Sequence, residues 1–199
     1  MLDRMRHLLL ALSLFIAAAA HAQELAPDEL VRRVTADVLD AVKSDKQLQA
    51  GDRKKALALA EAKILPHVDF REATQIAMGR SWHVATPAQK TQLVDQFREL
   101  LIRIYASSID VYRGQTMRVL PTRVPAGATE ARVRNQYISE GKPPVAVDYS
   151  MLKTPTGWKI YDVSVEGISL VLAYRSEFEN IVRTAGIDGL IKRLAEKNA

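Results

Sequence analysis

The sequence of 199 residues has no cysteine and only four histidines. Without cysteine the chain forms no disulfide bond, and thiol catalysis and thiolate metal sites are excluded. His7 and His21 lie near the N-terminus, so the rest of the chain carries only His67 and His83. His67 and the nearby Asp69 offer two ligands, whereas a closed zinc site needs four. We therefore expect no metal site.

The motifs of most enzymes and nucleic-acid-binding proteins are also missing. The sequence lacks a G-x-S-x-G nucleophile motif, and Gly186 and Gly189 are too few for a loop that cradles phosphate. Aromatic residues make up 6% of the chain and do not alternate with Arg and Lys as a base-stacking surface would require. We expect no catalytic residue, no cofactor and no nucleic-acid partner.

The long apolar run of the sequence lies at its beginning. Arg4 and Arg6 precede an apolar stretch at residues 8–20, and Ala-His-Ala at residues 20–22 fits a small-x-small cleavage site. This is the pattern of a secretory signal peptide, and the apolar run is too short to span a bilayer comfortably. The sequence predicts a signal at residues 1–22, cleavage before Gln23, and one mature domain at residues 23–199.

The first half of the mature chain has helical periodicity. Apolar residues recur three and four positions apart over residues 27–42, in a second segment that ends at Leu65, and over residues 87–112. Asp69 is placed to cap a short helix that Gly79 ends, and Thr86 with Gln89 forms a capping box for the long helix. A kink near Ser107 is compatible with this pattern.

After Gly114 the apolar period changes from 3.6 residues to 2. The alternation predicts four strands near residues 116–120, 131–138, 145–152 and 158–165, and their short connections favour antiparallel neighbours. Gly167, Ile168 and Ser169 mark a corner after the last strand, with Ser169 as the cap of a helix over residues 170–182. Gly186 should end that helix, and Asp188 should cap a final short one.

These elements predict an α+β fold with N-terminal helices, a four-stranded antiparallel curved sheet and closing C-terminal helices. Helices that cover one face of such a sheet form a cone. Its interior is either a packed core or a cavity, and periodicity alone does not distinguish the two.

Several spaced motifs resemble one known family. They are W-x-x-YDV-x-x-x-GIS at residues 158–169, YR-x-x-F at 174–178, GIDGL at 186–190, ILP-x-V at 64–68, TPAQ at 86–89, FRELL at 97–101 and YRGQT at 112–116. Their order and spacing resemble the MlaC, or toluene-tolerance, family of periplasmic phospholipid-binding proteins. The resemblance implies an NTF2-like cone around a deep apolar cavity, with acyl chains between sheet and helices and the headgroup in water.

The resemblance also implies a function and partners. A protein of this family would be a soluble, monomeric periplasmic carrier that shuttles phospholipid between the inner and outer membranes and so maintains outer-membrane lipid asymmetry. Its partners would be an inner-membrane ABC transporter complex with a substrate-binding ring and an outer-membrane lipoprotein–porin complex. The direction of net transport is not readable from the sequence.

The lipid-binding wall is expected on the third and fourth strands and the facing helices. The argument is that these apolar side chains share one face of a strand or one stripe of a helix. The residues predicted to line the cavity are Leu101, Tyr105, Val147, Tyr149, Tyr161, Val163, Val171, Tyr174 and Phe178.

Two other classes of protein are compatible with the same pattern. A cone-fold enzyme, similar to ketosteroid isomerase, would use Asp162 or a tyrosine as its acid–base group. A protein-interaction module would have a filled interior and bind no small molecule. Lipid that copurifies with the protein separates the carrier from both.

Overall fold

The computed structural model describes residues 25–105 and 116–199. Within these residues the helices are α1 (Pro27–Ser44), α2 (Lys46–Gln49), α3 (Arg53–Lys63), α4 (Phe70–Met78), α5 (Ser81–Val84), α6 (Pro87–Tyr105) and α7 (Arg175–Asn198), with 3₁₀ turns at Leu65–His67 and Leu172–Tyr174. The predicted signal peptide, the cleavage site and the extension of the long helix past Tyr105, with its kink, lie outside the described residues.

One antiparallel sheet follows the helices. Its strands are β1 (Thr116–Val119), β2 (Glu130–Ile138), β3 (Val145–Thr154), β4 (Gly157–Val165) and β5 (Ile168–Ser169), in the spatial order of the chain. In β2, Val133 and Asn135 are buried while Arg132 and Arg134 are exposed, as the period of two requires. The predicted α+β architecture is confirmed, with five strands in place of the expected four.

The helix starts follow the local capping signals in the sequence. The Asp69 carboxylate accepts a hydrogen bond from the Glu72 backbone N–H at 2.9 Å and begins α4. At the start of α6, the Thr86 N–H donates to Gln89 Oε1 at 3.0 Å, and the Gln89 N–H donates to Thr86 Oγ1 at 3.2 Å. These bonds satisfy backbone donors that a helix N-terminus otherwise leaves free, so both helix starts are marked by residues within one turn.

The chain between β4 and α7 differs from the prediction. Glu166 (φ 49°) and Gly167 (φ 81°) form a tight turn that returns the chain along β4 as β5. Leu170 N–H then donates to Val163 O at 2.8 Å, which holds residue 170 at the sheet edge. Because this pairing competes with helix formation, the closing helix begins at Arg175 and not at Leu170.

The predicted roles of Ser169 as a cap and of Gly186 as a helix interruption are confirmed, although the elements that they bound differ from those predicted. Ser169 Oγ accepts the Leu172 N–H at 2.9 Å, so Ser169 caps the 3₁₀ turn that precedes α7. Gly186 has φ 71° and ψ −179°, which interrupts the helical backbone inside α7. Asp188, just after this interruption, accepts a hydrogen bond from the Gln89 side chain at 2.7 Å and joins the end of α7 to the start of α6.

The interior is divided into two main apolar clusters. The first lies among α4, α5, α6 and α7, where the rings of Phe97, Tyr174 and Phe178 meet with centroids 5.1–5.7 Å apart. The second lies between α1 and the sheet, where Val31 packs with Val133 and Met151. The sheet is therefore covered by α1 near its middle strands, while α4, α6 and α7 form a separate helical layer.

Tyr149 belongs to the second cluster and gives an alkaline stability prediction. Burial, reinforced by Tyr137, raises the pKa of Tyr149 to about 12. The folded state therefore keeps a proton that the unfolded state releases near pH 10, so stability should fall between pH 10 and pH 12. Because the side chain of Tyr149 keeps some exposure, we expect its ionisation to lower the free energy of unfolding by about 1–2 kcal/mol. Urea unfolding of the parent and of Tyr149→Phe across this range should show a shallower decline in the variant, and parallel curves would contradict this assignment.

Candidate functional site

An apolar cavity of about 210 Å³ lies where the edge of β4 meets the helices. Its walls come from β4, the last turns of α6, the segment from the end of α3 to α4, and the residues after β5. The lining residues are Ala60, Ile64, Leu65, Val68, Phe70, Ala73, Leu101, Ile102, Tyr105, Ile160, Tyr161, Asp162, Val163, Leu170 and Val171.

The geometry of the β4 edge makes room for this cavity. On one side Val68 forms a parallel bridge to Ile160, and the Asp69 N–H donates to Ile160 O at 2.8 Å. On the other side Leu170 N–H donates to Val163 O. Between these two attachments the register of β4 shifts, so that Ser150 pairs with Asp162 while Met151 pairs with Ile160. Such a bulge bends its strand and re-aims side chains, which here separates the edge segments around residues 161–162.

Asp162 is the one charged side chain among the described lining residues. It is 8% exposed, and its Oδ1 accepts the Val171 backbone N–H at 3.2 Å. A buried carboxylate is costly unless hydrogen bonds satisfy it, and this bond also fixes the segment after β5 against β4. The geometry assigns Asp162 a structural role in the cavity wall, because its oxygen is directed to the backbone.

The tyrosines near the cavity are held in the neutral form. Burial raises the pKa of Tyr174 to about 12, assisted by the neighbouring Tyr105. Burial also raises the pKa of Tyr161, and Glu130 raises it further. Phenols with raised pKa values keep their protons at neutral pH and act as hydrogen-bond donors, not as bases. The described wall is therefore apolar, with neutral hydroxyls and one satisfied carboxylate.

The structure places the nine predicted lining residues in two groups. Leu101, Tyr105, Tyr161, Val163 and Val171 line the cavity. The other four lie outside this lining. Tyr174 and Phe178 pack on Phe97 in the helical cluster, with Phe178 1% exposed. Tyr149 packs in the cluster beneath α1, and Val147 is half-buried in β3 between Asn135 and Val165.

Sequence reasoning missed the contribution of the segment between α3 and α4. Ile64, Leu65, Val68 and Phe70 surround a 3₁₀ turn and reach the cavity from the side opposite Leu170. The sequence does contain a pattern that could have revealed them: four apolar residues occur within seven positions around Pro66, in the connection between two helices. Apolar residues concentrated in a connection, away from any helical stripe, indicate a surface that something else must cover.

The described residues offer no metal centre and no helix for membrane insertion. Within residues 25–105 and 116–199, no group of three or more His, Cys, Asp and Glu side chains is arranged to hold a metal ion. In the same ranges, no helix is long and apolar enough to cross a bilayer.

Comparison with known proteins gives consistent matches over most of the chain. The family model of the MlaC protein matches residues 32–196. A toluene tolerance protein, ttg2D, from Pseudomonas putida is 26% identical over 185 residues, which cover 92% of this chain and 84% of that protein. The intermembrane phospholipid transport system binding protein MlaC from Haemophilus influenzae is 20% identical over 188 residues, covering 93% of this chain and 88% of that protein.

A solved structure is similar in both fold and sequence. It is the phospholipid-binding protein of Ralstonia solanacearum in complex with a phospholipid, with a TM-score of 0.79 and 39% identity, covering 87% of this chain and 97% of the other. The resemblance inferred from the spaced motifs is therefore confirmed, and the chain belongs to the MlaC family.

Proposed function

We propose that this protein is a soluble periplasmic phospholipid carrier that moves lipid between the inner and outer membranes. The observation that carries the proposal is the apolar cavity between β4 and the helices, in a chain of the MlaC family. The similar structure from Ralstonia solanacearum, which is in complex with a phospholipid, supports the same ligand class.

The energetics explain why such a cavity suffices. Each buried methylene contributes about 0.8 kcal/mol, so two acyl tails of about 30 methylenes cost about 24 kcal/mol to expose to water. A carrier removes this barrier by offering the lipid an environment as apolar as the bilayer. Reactive polar groups in the wall would add desolvation cost without helping transport. The neutral tyrosines and the hydrogen-bonded Asp162 are consistent with that requirement.

The cavity must widen when lipid enters. A volume of about 210 Å³ is smaller than the roughly 300–1,000 Å³ of pockets for drug-sized ligands, and a diacyl lipid is larger than such ligands. The wall best placed to move is the segment of residues 170–174. It is attached to β4 by the Leu170–Val163 and Val171–Asp162 hydrogen bonds, and continues into α7 through a single 3₁₀ turn.

We place the acyl chains against the cavity-lining members of the predicted set and the residues around the 3₁₀ turn after α3. In this arrangement Tyr174 and Phe178 pack in the helical cluster, and Val147 and Tyr149 do not contact the acyl chains. We propose no catalytic step for the protein. The proposed partners are those implied by the family resemblance, an inner-membrane ABC transporter complex and an outer-membrane lipoprotein–porin complex.

A transfer assay between vesicles tests the carrier role. Donor vesicles containing a fluorescent phospholipid are mixed with unlabelled acceptor vesicles, with and without the protein. We expect a transfer rate that rises in proportion to protein concentration, because each molecule carries lipid through water independently. A rate no greater than that of spontaneous exchange at every protein concentration would reject the proposal.

A further inference from the structure

A second concave site lies at the C-terminal end of α4. It is an open, polar cleft of about 800 Å³ between the end of α4, α5 and the first turns of α7. Its walls carry the side chains of Arg80, His83, Arg175 and Glu179. It shares no lining residue with the apolar cavity.

The cleft has an excess of positive charge, and one of its two guanidinium groups is held in place. Arg175 donates from Nε at 3.1 Å and from Nη2 at 2.6 Å to the carbonyl oxygen of Ile76, near the end of α4. These two bonds hold the guanidinium at the cleft wall. The side chains of Arg80 and His83 are exposed and form no hydrogen bond or ion pair with the described part of the chain. Two guanidinium groups therefore face one carboxylate, that of Glu179.

Gly79 forms part of the cleft wall in a backbone conformation that favours glycine. Its φ of 54° and ψ of −128° are unfavourable for residues with a side chain. A Cβ at this position would also lie 3.4 Å from Glu179 Oε1 and 3.5 Å from Arg175 Nε. A side chain at Gly79 would therefore be disfavoured by the backbone conformation, while its Cβ would make ordinary contacts with both charged groups.

The residue that follows His83 in the chain is apolar and exposed, although it does not line the cleft. Val84, the neighbour of His83, is 77% exposed, more than any other exposed large hydrophobic residue in the described ranges. A ligand that uses both features needs carboxylates for the arginines and an apolar group for Val84. An acidic segment of a protein offers both, and the cleft is far larger than a single phosphate group requires.

The cleft and the lipid cavity share two structural walls. Along α4, Phe70 and Ala73 line the cavity while Ile76 lines the cleft. Along the segment that leads into α7, Val171 lines the cavity while Arg175 lines the cleft. The hydrogen bonds from Arg175 to Ile76 O join these two walls between the sites.

We propose that this cleft binds an acidic segment of a partner protein and that its occupancy is coupled to release of lipid from the cavity. A carboxylate of the segment pairs with Arg80 and competes with Ile76 O for Arg175, because guanidinium–carboxylate hydrogen bonds are stronger than those to a neutral carbonyl. Loss of the Arg175–Ile76 bonds loosens the first turn of α7 and the preceding segment at the end of α4, while the apolar cluster still holds the rest of α7. This local movement widens the cavity. This coupling rests on the proposed lipid-carrier function, whereas binding of the segment does not.

The test uses a synthetic peptide with four glutamates around a central leucine and the full mature chain. Peptide affinity is measured by calorimetry or fluorescence anisotropy at low salt, and the contact surface by NMR. Arg80→Gln should weaken binding by about two- to fivefold, the effect of losing one exposed ion pair. Glu179→Gln should strengthen it by a similar factor, because it removes a like charge. Amide signals of residues 75–84 and 175–179 should shift.

Arg53→Gln is the matched control, since Arg53 is exposed at the start of α3, far along the chain from the cleft. It should leave peptide affinity unchanged. Equal weakening by Arg53→Gln and Arg80→Gln would reduce the binding to net-charge attraction and overturn the proposal. No strengthening by Glu179→Gln would show that the peptide binds away from the cleft and would also overturn it. Tighter binding of glycerophosphate than of the peptide at the cleft would overturn it in favour of a phosphate site.

The coupling is tested with lipid-loaded and lipid-free protein. Because coupling between two sites is reciprocal, the lipid-free form should bind the peptide about fivefold or more tightly than the lipid-loaded form, and tighter binding to the lipid-loaded form would overturn the coupling. Equal affinities would overturn the coupling. Absence of lipid from the parent protein would instead overturn the carrier function and leave peptide binding to be judged by the charge variants. The two failures are therefore distinguishable.

Discussion

Replacement of Leu101 by tryptophan is expected to remove most of the bound phospholipid while the protein remains folded. Leu101 is half-buried on α6 and lines the cavity, so the larger ring extends into open space. If it excludes four to five methylenes, at about 0.8 kcal/mol each, the loss is about 3–4 kcal/mol. This corresponds to an affinity about 100- to 1,000-fold lower. The measurement is the lipid-to-protein ratio after purification without detergent.

Two further variants make this result specific. Leu170→Trp fills the same cavity from the opposite wall and should give the same loss. Val147→Trp is the matched control, because Val147 is a half-buried apolar residue of β3 that does not line the cavity. Lipid lost equally from all three variants would indicate general disruption. Full lipid in both Leu101→Trp and Leu170→Trp would place the acyl chains elsewhere.

The second large effect concerns stability. Phe97→Ala should lower the free energy of unfolding by about 3–5 kcal/mol. Phe97 is fully buried and makes edge-to-face contacts with Tyr174 and Phe178, with ring centroids 5.2 and 5.1 Å away. Its removal leaves a cavity in the cluster that joins α6 to α7. Urea unfolding of the lipid-free protein measures the loss.

Leu101→Ala is the informative comparison on the same helix. Replacement of a leucine in a packed core by alanine lowers the free energy of unfolding by about 2–5 kcal/mol. Leu101 borders open space in the lipid-free protein. Leu101→Ala should therefore lower the free energy of unfolding much less than Phe97→Ala does. Equal losses for the two variants would show that Leu101 is packed core and that the cavity does not extend to it.

The elements predicted most accurately from the sequence are those whose structure is set by residues close to one another in the chain. Asp69 and the Thr86–Gln89 pair act within one helical turn, so their capping is visible in the sequence itself. The strand alternation around Val133 and the helix interruption at Gly186 were predictable for the same reason. The spaced motifs then identified the family, which no single motif could do.

The start of the closing helix was predicted at residue 170, five residues too early, because pairing with the preceding strand decides the conformation there. The apolar spacing of residues 170–174 fits an α-helix, but the backbone N–H groups of Leu170 and Val171 donate to Val163 and Asp162 of β4. Residues 172–174 then form a 3₁₀ turn in place of an α-helix. Which apolar residues pack in the core and which line the cavity also depends on tertiary structure. Phe178 and Leu101 both lie on apolar stripes, yet one packs on Phe97 and the other borders a cavity. Periodicity shows which face is turned inward, not whether the interior is filled.

Native mass spectrometry of the purified parent protein, without detergent, tests the central claim most directly. The account predicts a complex whose mass exceeds that of the chain by one phospholipid, and whose extra mass disappears after extraction with organic solvent. A protein that carries no lipid after expression in a phospholipid-containing cell, and takes up none from vesicles, would contradict the account.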